Sequence, residues 1–301
     1  MSESSFLVSR LRLLRILKIS DKNGYSGTLE FLDQLRYLEI PCLLRKLSGR
    51  LENLEFLFVT GSNSIDPVFS NMPKLRHLYF KSPSRISEDW IIPQTHSLET
   101  LSGVLVYDLD DEKILRSFPH LRHLKCNYDY SWNDCPDLSF LTQLESLRMT
   151  FYSRQVKFRE INFPTNIIML SLSGRFPCER MSSIGKLPNL EILKLEYLNF
   201  EGENWNTKDD EFQKLKFLKL RHLKFEHWNA SEDHFPTLER LVLESCNYFK
   251  SIPSELGYIP KLQMIEVHSC GKRIRESAMK IKEEQEENGN DELKVIITGL
   301  K

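Results

Sequence analysis

The sequence predicts an α/β solenoid, because one short apolar phrase recurs along almost the whole chain. The phrase is a Leu, two variable residues, a Leu or Ile, one variable residue and another apolar residue, as in Leu190–Leu195. Its first position, the anchor, recurs every 19–25 residues, which is the period of leucine-rich repeats. The twelve anchors are Leu14, Leu35, Leu54, Leu75, Leu98, Leu121, Leu144, Ile167, Leu190, Leu215, Leu238 and Leu262. We therefore expect a leucine-rich-repeat horseshoe of about twelve irregular repeats.

Each phrase is expected to form one short strand of a parallel, concave sheet. Leu193 and Leu195 follow the period of two that a strand requires, so they should point inward while their neighbours face solvent. The rest of each repeat should return on the convex side, where residues 201–210 show no helical periodicity. The Ser102-Gly103 pair interrupts the apolar pattern after Leu101, and we expect a local distortion there.

The two ends of the chain differ in pattern, and they divide it into residues 1–270, the solenoid, and residues 271–301, a cap of the same domain. Residues 272–287 have a thin apolar stripe and should form a helix, while 293–297 read as a closing strand. Such a cap covers the open end of a solenoid. Residues 1–12 offer no comparable cap, so we expect a preceding segment or a partner to cover the first repeat.

Composition narrows the classes of function. The net charge of −1 gives no reason to expect nucleic acid as a partner. No apolar run is long enough for a transmembrane helix, and the first residues lack the pattern of a secretory signal. The six cysteines are not clustered in pairs, which favours free thiols in a reducing, cytoplasmic compartment. Cys246 and Cys270 each follow an anchor by eight residues, where a buried thiol can satisfy turn backbone groups.

The solvent-facing positions of the strands predict two groups of candidate protein-binding residues. Exposed aromatic and Arg side chains are the usual anchors of protein interfaces. Rings can also stabilise a sheet by packing on their cross-strand neighbours, and the basic group can be a solvated face or a dock for an acidic partner. The aromatic group is Tyr37, Phe56, Phe58, His77 and Tyr79, and the basic group is Lys125, Arg148, Lys194, Lys219, Arg221 and Arg240.

No catalytic, cofactor or metal site is predicted from the sequence. His77 and His123 lie two repeats apart, which places them about 10 Å from each other at about 4.8 Å per strand, too far to share a metal ion. His222 and His227 have no third ligand nearby. The acidic runs 108–112 and 209–211 are interpreted as solvated loops in the returns.

The chain resembles a known family over nearly its whole length, and its C-terminal part has the most specific motifs. Residues 251–267 (SIPSELGYIPKLQMIEV) and the tail 276–295, with its ESA, IKEEQ and GNDELKV segments, look like the C-terminal repeat domain of plant coiled-coil nucleotide-binding immune receptors. The nearest likeness is to the nightshade late-blight-resistance-like group. The resemblance implies a part in sensing pathogen effectors or in restraining a nucleotide switch, in the cytoplasm and peripheral at a membrane only through partners.

The chain departs from that family in one respect. It contains no Gly-x-x-x-x-Gly-Lys-Ser/Thr loop, so no nucleotide-binding residue can be transferred to it. Two other classes remain open. One is a substrate receptor of a ubiquitin ligase, which requires an F-box-like helical segment that residues 1–12 are too short to provide, and the other is an enzyme inhibitor that caps an active site.

Overall fold

The structure is a computed structural model, and it describes residues 13–20, 32–41, 51–61, 69–86, 90, 97–128, 137–152, 161–174, 181–198 and 204–299. The chain divides into two compact units, Met1–Leu144 and Glu145–Lys301. Each unit is a stack of leucine-rich repeats whose strands pair in parallel, as the sequence predicts.

The first unit has a parallel sheet whose strands pair in chain order, each with the next. A short 3-10 helix, Phe69–Asn71, and helix α1, Leu109–Leu115, lie in the returns. The strands are β1 (Ile16–Lys18), β2 (Tyr37–Ile40), β3 (Phe56–Val59), β4 (His77–Arg85), β5 (Thr100–Val106) and β6 (His123–Tyr128).

The second unit has a larger parallel sheet and a separate pair of short strands. Its elements in chain order are β7 (Ser146–Phe151), β8 (Met169–Gly174), α2 (Met181–Gly185), β9 (Ile192–Glu196), β10 (Asn204–Asn206), β11 (Phe217–Arg221), β12 (His227–Asn229), a 3-10 helix (Glu232–His234), β13 (Arg240–Glu244), a 3-10 helix (Ser254–Tyr258), β14 (Met264–His268), α3 (Lys272–Glu287) and β15 (Lys294–Thr298). The sheet order is β7-β8-β9-β11-β13-β14-β15, while β10 pairs only with β12.

The anchors set the position of every strand, because each of the twelve lies two residues before a strand begins. Ten of them, from Leu35 to Leu238, have at most 1% of their surface exposed, and Leu262 has 5%. Burial of one Leu side chain contributes about 1.5–3 kcal/mol. A repeat exposes this apolar edge unless a neighbour covers it, so stacking of repeats supplies the core.

The irregularity predicted at Ser102-Gly103 is a bulge in the ladder. Gly103 has a φ of +83°, and the register with the flanking strands shifts beside it. A Cβ at this position would lie 2.1 Å from the carbonyl oxygen of Phe80. Only glycine fits such a close approach of two backbones, so the loss of the apolar pattern here is a backbone requirement.

The strands of the second unit end in a repeated left-handed residue. Tyr197, His222, Ser245 and Ser269 directly follow β9, β11, β13 and β14, and their φ angles are 49–55°. The amide of each donates to the carbonyl of the last residue in the next strand, at 2.8–3.0 Å. This conformation turns the chain out of the sheet at the same place in successive repeats.

One prediction about the returns is wrong, and one strand there was not predicted. Residues 201–210 include strand β10, and its Trp205 stacks on Trp228 of β12 with ring centroids 5.0 Å apart. The acidic runs are not solvated loops throughout. Asp108 caps α1 by accepting from the amides of Asp110 and Asp111, and Asp111, Glu112 and Glu211 are only 3%, 4% and 1% exposed.

The C-terminal elements follow the prediction closely. Helix α3 spans the expected residues 272–287, and β15 begins one residue later than expected and pairs with β14. The helix has basic residues early and acidic residues late, an order that opposes its dipole. Ile274, Ala278 and Ile281 are buried and hold it by packing. The prediction about residues 1–12 lies outside the described residues.

Among the described helices, none has the length and apolar character needed to span a membrane.

The two glycines Gly174 and Gly289 test the role of close backbone approach. Both have a positive φ, but a Cβ on Gly174 would lie 2.1 Å from the Phe151 carbonyl oxygen, while no described atom lies within 4 Å of one on Gly289. We expect Gly289→Ala to cost about 1 kcal/mol of unfolding free energy and Gly174→Ala about 3 kcal/mol or more. Urea denaturation measures both, and equal costs would contradict the prediction.

Candidate functional site

All eleven predicted candidate residues lie on the solvent side of the strands and none is buried. We call this side the strand face: it consists of the strand residues that alternate with the buried leucines. The five aromatic candidates and Lys125 belong to the first unit, and the other five basic candidates belong to the second. Each unit therefore has its own strand face.

The aromatic candidates of the first unit form two adjoining rows across three strands. Tyr37, Phe56 and His77 stand in register on β2, β3 and β4, and Phe58 stands beside Tyr79. The ring centroids of Phe56 and His77 are 4.3 Å apart with nearly parallel planes, and those of Phe58 and Tyr79 are 6.0 Å apart. A contact of 6.5 Å between His77 and Tyr79 joins the rows. We call these five residues the aromatic ladder.

Polar contacts fix both ends of the aromatic ladder. At one end the Tyr37 hydroxyl donates to Glu39, which also pairs with Lys18 at 3.1 Å. At the other end Nδ1 of His77 lies 3.0 Å from the Thr100 hydroxyl. Burial lowers the pKa of His77 below its usual value of 6.5, so its ring is neutral at pH 7. The rings are thus held in place before any partner arrives.

A cleft of about 370 Å³ adjoins the aromatic ladder at the start of β3 and β4. Phe56 and His77 form one side of it, and Glu55, Lys74 and Arg76 supply charged groups around it. Half-buried rings beside a cleft with polar groups are a typical arrangement for a protein contact.

Three basic candidates of the second unit are paired with carboxylates on the same face. Glu244 forms ion pairs with Lys219 at 2.7 Å and with Arg221 at 3.0 Å, and Glu266 pairs with Arg240. The hydrogen bond from Lys219 lowers the pKa of Glu244, and the one from Arg240 lowers the pKa of Glu266. These pairs neutralise much of the basic stretch that the sequence predicts.

Lys194 differs from these three basic residues. Within the described residues its charged group has no carboxylate partner, and it lies 5.8 Å from the ring centroid of Phe217. The Arg240 guanidinium lies 5.7 Å from the same ring. Phe217 is therefore flanked by cations from the two neighbouring strands. Such cation–π contacts are worth about 0.5–1 kcal/mol at exposed sites.

One exposed aromatic pair was not predicted. Tyr197 and His222 occupy adjacent left-handed positions, where neighbouring repeats have Gly or Ser, and their rings stack at 4.6 Å. Tyr197 is 51% exposed, and the Arg221 guanidinium lies 5.2 Å from its ring. Their spacing relative to the anchors is the signal that would have located them. A bulky residue in this conformation is unusual and often marks a functional position.

The described residues contain no group of three or more metal-ligating side chains. Thr207, His234 and Asp209 form a chain of contacts of 2.7 and 3.2 Å that has the residue types of a nucleophilic triad. However, Thr207 is 7% exposed and its hydroxyl lies 3.0 Å from the Asn229 carbonyl oxygen. The Ser231 amide donates to Nδ1 of His234, so the network stabilises a turn.

The predicted contacts of Cys246 and Cys270 with backbone groups are confirmed. Cys126, Cys246 and Cys270 carry reduced thiols and are buried. The thiol of Cys246 donates to the Leu220 carbonyl at 3.3 Å, and that of Cys270 donates to the Leu243 carbonyl at 3.5 Å. Burial raises the pKa of the Cys126 thiol, which keeps it protonated and unreactive at neutral pH. The other three cysteines lie outside the described residues.

Comparison with known proteins identifies relatives in Solanum demissum. A putative late blight resistance protein homolog R1B-16 of Solanum demissum is 31% identical over 98% of this chain and 24% of its own length. Homolog R1B-13 of the same species is 31% identical over 98% of the chain and 27% of its own length. The chain thus spans about a quarter of the length of these relatives. No protein-family model matches the chain.

Among solved structures, an internalin from Listeria monocytogenes resembles the chain in fold. The TM-score is 0.51 at 15% identity, covering 98% of this chain and 89% of that one.

Replacing Arg240 by Gln should show that this candidate residue also supports the fold. Glu266 is 10% exposed, and its pKa lies below the ordinary value of 4.5 because of Arg240. We expect a loss of about 1–2 kcal/mol at pH 7, moderated because Arg240 is half exposed. A carboxyl with a lowered folded pKa stabilises above its ordinary value, so the difference should shrink as the pH falls below 4.5.

Urea denaturation from pH 7 to pH 3 measures this difference. Lys216→Gln is the matched control, because it removes an exposed pair with Glu191, worth less than about 0.5 kcal/mol. Equal losses in the two variants, or an Arg240 effect that does not change with pH, would contradict the assignment.

Proposed function

Because this chain belongs with the late blight resistance protein homologues, we propose that it is a protein-recognition module of plant disease resistance. The observation that carries the proposal is the aromatic ladder, five half-buried rings that stand together on a strand face. Large apolar groups on a water-facing surface usually mark a contact site. The proposed setting is the cytoplasm, in keeping with the buried reduced thiols.

The aromatic ladder suits recognition because its rings are already ordered. Binding is weaker when flexible side chains must be immobilised at the interface, because each costs about 0.5–1.5 kcal/mol of binding free energy. Here stacking and the contacts of Tyr37 and His77 have fixed the rings in the free protein. The adjoining cleft beside Phe56 gives a partner side chain a place to enter.

The basic candidates on the strand face of the second unit, here called the basic face, are proposed to act mainly through Lys194. Lys219, Arg221 and Arg240 are engaged by carboxylates, so removing any of them also disturbs the sheet surface. Lys194 has no carboxylate partner within the described residues. Such a charge attracts an acidic protein at long range, raises its association rate and is weakened by salt. Arg148 of β7 is an exposed basic residue on the same face.

Two protein partners fit the proposal: a pathogen effector, and the nucleotide-binding segment of an immune receptor. In the second case the module acts as a restraint only if it binds one nucleotide state of that segment more tightly than the other. Affinity for the segment loaded with ADP and with ATP therefore separates the modes, since equal affinities would exclude restraint and leave effector sensing.

Substitution of the aromatic ladder tests the proposed surface. We expect Phe56→Ala with Tyr79→Ala to weaken binding of the purified nucleotide-binding segment, or of an effector, at least tenfold, about 1.4 kcal/mol. Isothermal titration calorimetry measures the affinity. Tyr258→Ala is the control, because Tyr258 is an exposed ring outside the strand face. Unchanged affinity in a folded double variant would contradict the proposal.

Charge reversal tests the basic face separately. Lys194→Glu should slow association and reduce its dependence on salt, while Lys208→Glu, an equal charge change in a return, should not. Stopped-flow association at low and high salt measures both quantities. If the two variants behave alike, only net charge matters and the basic face has no specific role.

A further inference from the structure

The small sheet of the second unit repeats with the solenoid period. Trp205 of β10 and Trp228 of β12 are 23 residues apart and pair in register, and Ile252 follows 24 residues later. The amide of Thr207 donates to the Asn229 carbonyl at 3.0 Å, so that carbonyl faces β10. A third strand at residues 251–253 would continue this sheet on the other edge of β12.

At that other edge of β12, a ladder of backbone hydrogen bonds begins but does not continue. Successive residues of a strand direct their backbone groups to opposite edges, so Glu226 and Trp228 direct theirs away from β10. The Glu226 carbonyl accepts the amide of Lys250 at 2.9 Å, which is the first rung. In a parallel ladder the rungs after it would join the amide of Trp228 to the carbonyl of Lys250 and the amide of Ile252 to the carbonyl of Trp228, and neither is among the hydrogen bonds of the described residues.

A side chain from α3 takes the amide that the second of these rungs needs. The Ile252 amide donates to Oγ of Ser277 at 3.0 Å, and that hydroxyl in turn donates to the Ile274 carbonyl at 2.9 Å. Within the described residues, the Trp228 carbonyl therefore receives no hydrogen bond at this edge.

A cleft of about 460 Å³ lies where the third strand would have been. Its lining includes Trp228 and Ala230 on the β12 side, Ile252 and Glu255 opposite, and Ser277 and Ile281 from α3. The indole Nε1 of Trp228 is buried and has no hydrogen-bond partner among the described residues. The volume falls within the range of about 300–1,000 Å³ that is typical of ligand sites.

We propose that this cleft binds a short extended peptide segment of a protein partner, which adds to the free edge of β12 as a parallel or antiparallel strand. An unpaired carbonyl at a strand edge calls for a backbone N–H donor, and addition of a strand supplies one. Trp228, Ile252 and Ile281 line the apolar part of the cleft, where one side chain of that segment would lie.

Charge indicates which segment fits. Glu284 is paired with Lys280 at 3.3 Å. Among the described residues that line the cleft, Glu255 is therefore the one charged side chain without an ion-pair partner. A segment with one Lys or Arg next to an apolar residue complements the cleft. The site is distinct from the strand faces and does not depend on the proposed function.

Selection from a phage-displayed library of random linear hexapeptides tests the site, with the full chain as bait. We expect enriched peptides with one basic and one apolar residue. Their affinity, measured by fluorescence polarisation, should fall at least tenfold on Ala230→Phe, which fills the cleft. Two control variants should leave the peptide affinity unchanged. Asn247→Phe adds a ring at an exposed position outside the cleft lining, and Phe56→Ala alters the strand face.

A second measurement uses the unaltered protein, so it does not depend on the folding of a variant. N-methylation of the enriched peptide at each position in turn should weaken binding at least tenfold at the residue that donates to Trp228. Failure to enrich any peptide, equal binding to Ala230→Phe, or a flat N-methylation profile would each overturn the proposal. Loss of binding on Phe56→Ala would assign the peptide to the strand face.

Discussion

A single repeat of this chain cannot bury its apolar edge by itself, and that constraint governs the rest of the structure. The anchor leucines are almost fully buried only because the next repeat packs against them. The parallel ladder then places each strand two residues after its anchor. Once that register is fixed, alternation along the strand decides which side chains face water. The candidate surface is therefore a by-product of core packing, in which half of the strand positions are free of any role in the core.

Freedom from the core does not mean freedom from structure. Lys219, Arg221 and Arg240 face solvent, but their carboxylate partners tie them to the sheet surface. Lys194 and the rings of Phe56 and Phe58 have no such ionic ties among the described residues. A residue already satisfied within the chain must give up a contact before it can serve a partner, whereas an ordered ring or an uncompensated charge need not. Residues of the strand face thus fall into two groups: those already paired within the chain, and those that can contact a partner without first losing such a pair.

The sequence was sufficient to predict the features that follow from the repeat. Spacing of the anchors predicts the strands, and alternation predicts the exposed side of all eleven candidate residues. The sequence did not reveal the pairing of Glu244 and Glu266 with those candidates, because ion pairs across strands depend on side-chain reach as well as register. It also missed the β10–β12 sheet, since three-residue strands carry too little periodicity to detect. The buried Asp111, Glu112 and Glu211 were missed because acidic side chains usually face water.

The returns of the second unit also pair strands from successive repeats, but their hydrogen-bond ladder is shorter than that of the main sheet. In the main sheet the ladder continues through every repeat to β15, so its backbone groups are satisfied between strands. At the edge of β12 that faces away from β10, the ladder stops after one rung, and Ser277 holds the amide of Ile252. Recognition on a strand face must therefore use side chains, since the backbone there is already engaged. At the edge of β12 the backbone itself is available, so this cleft suits an extended peptide whose main chain can complete the missing rung.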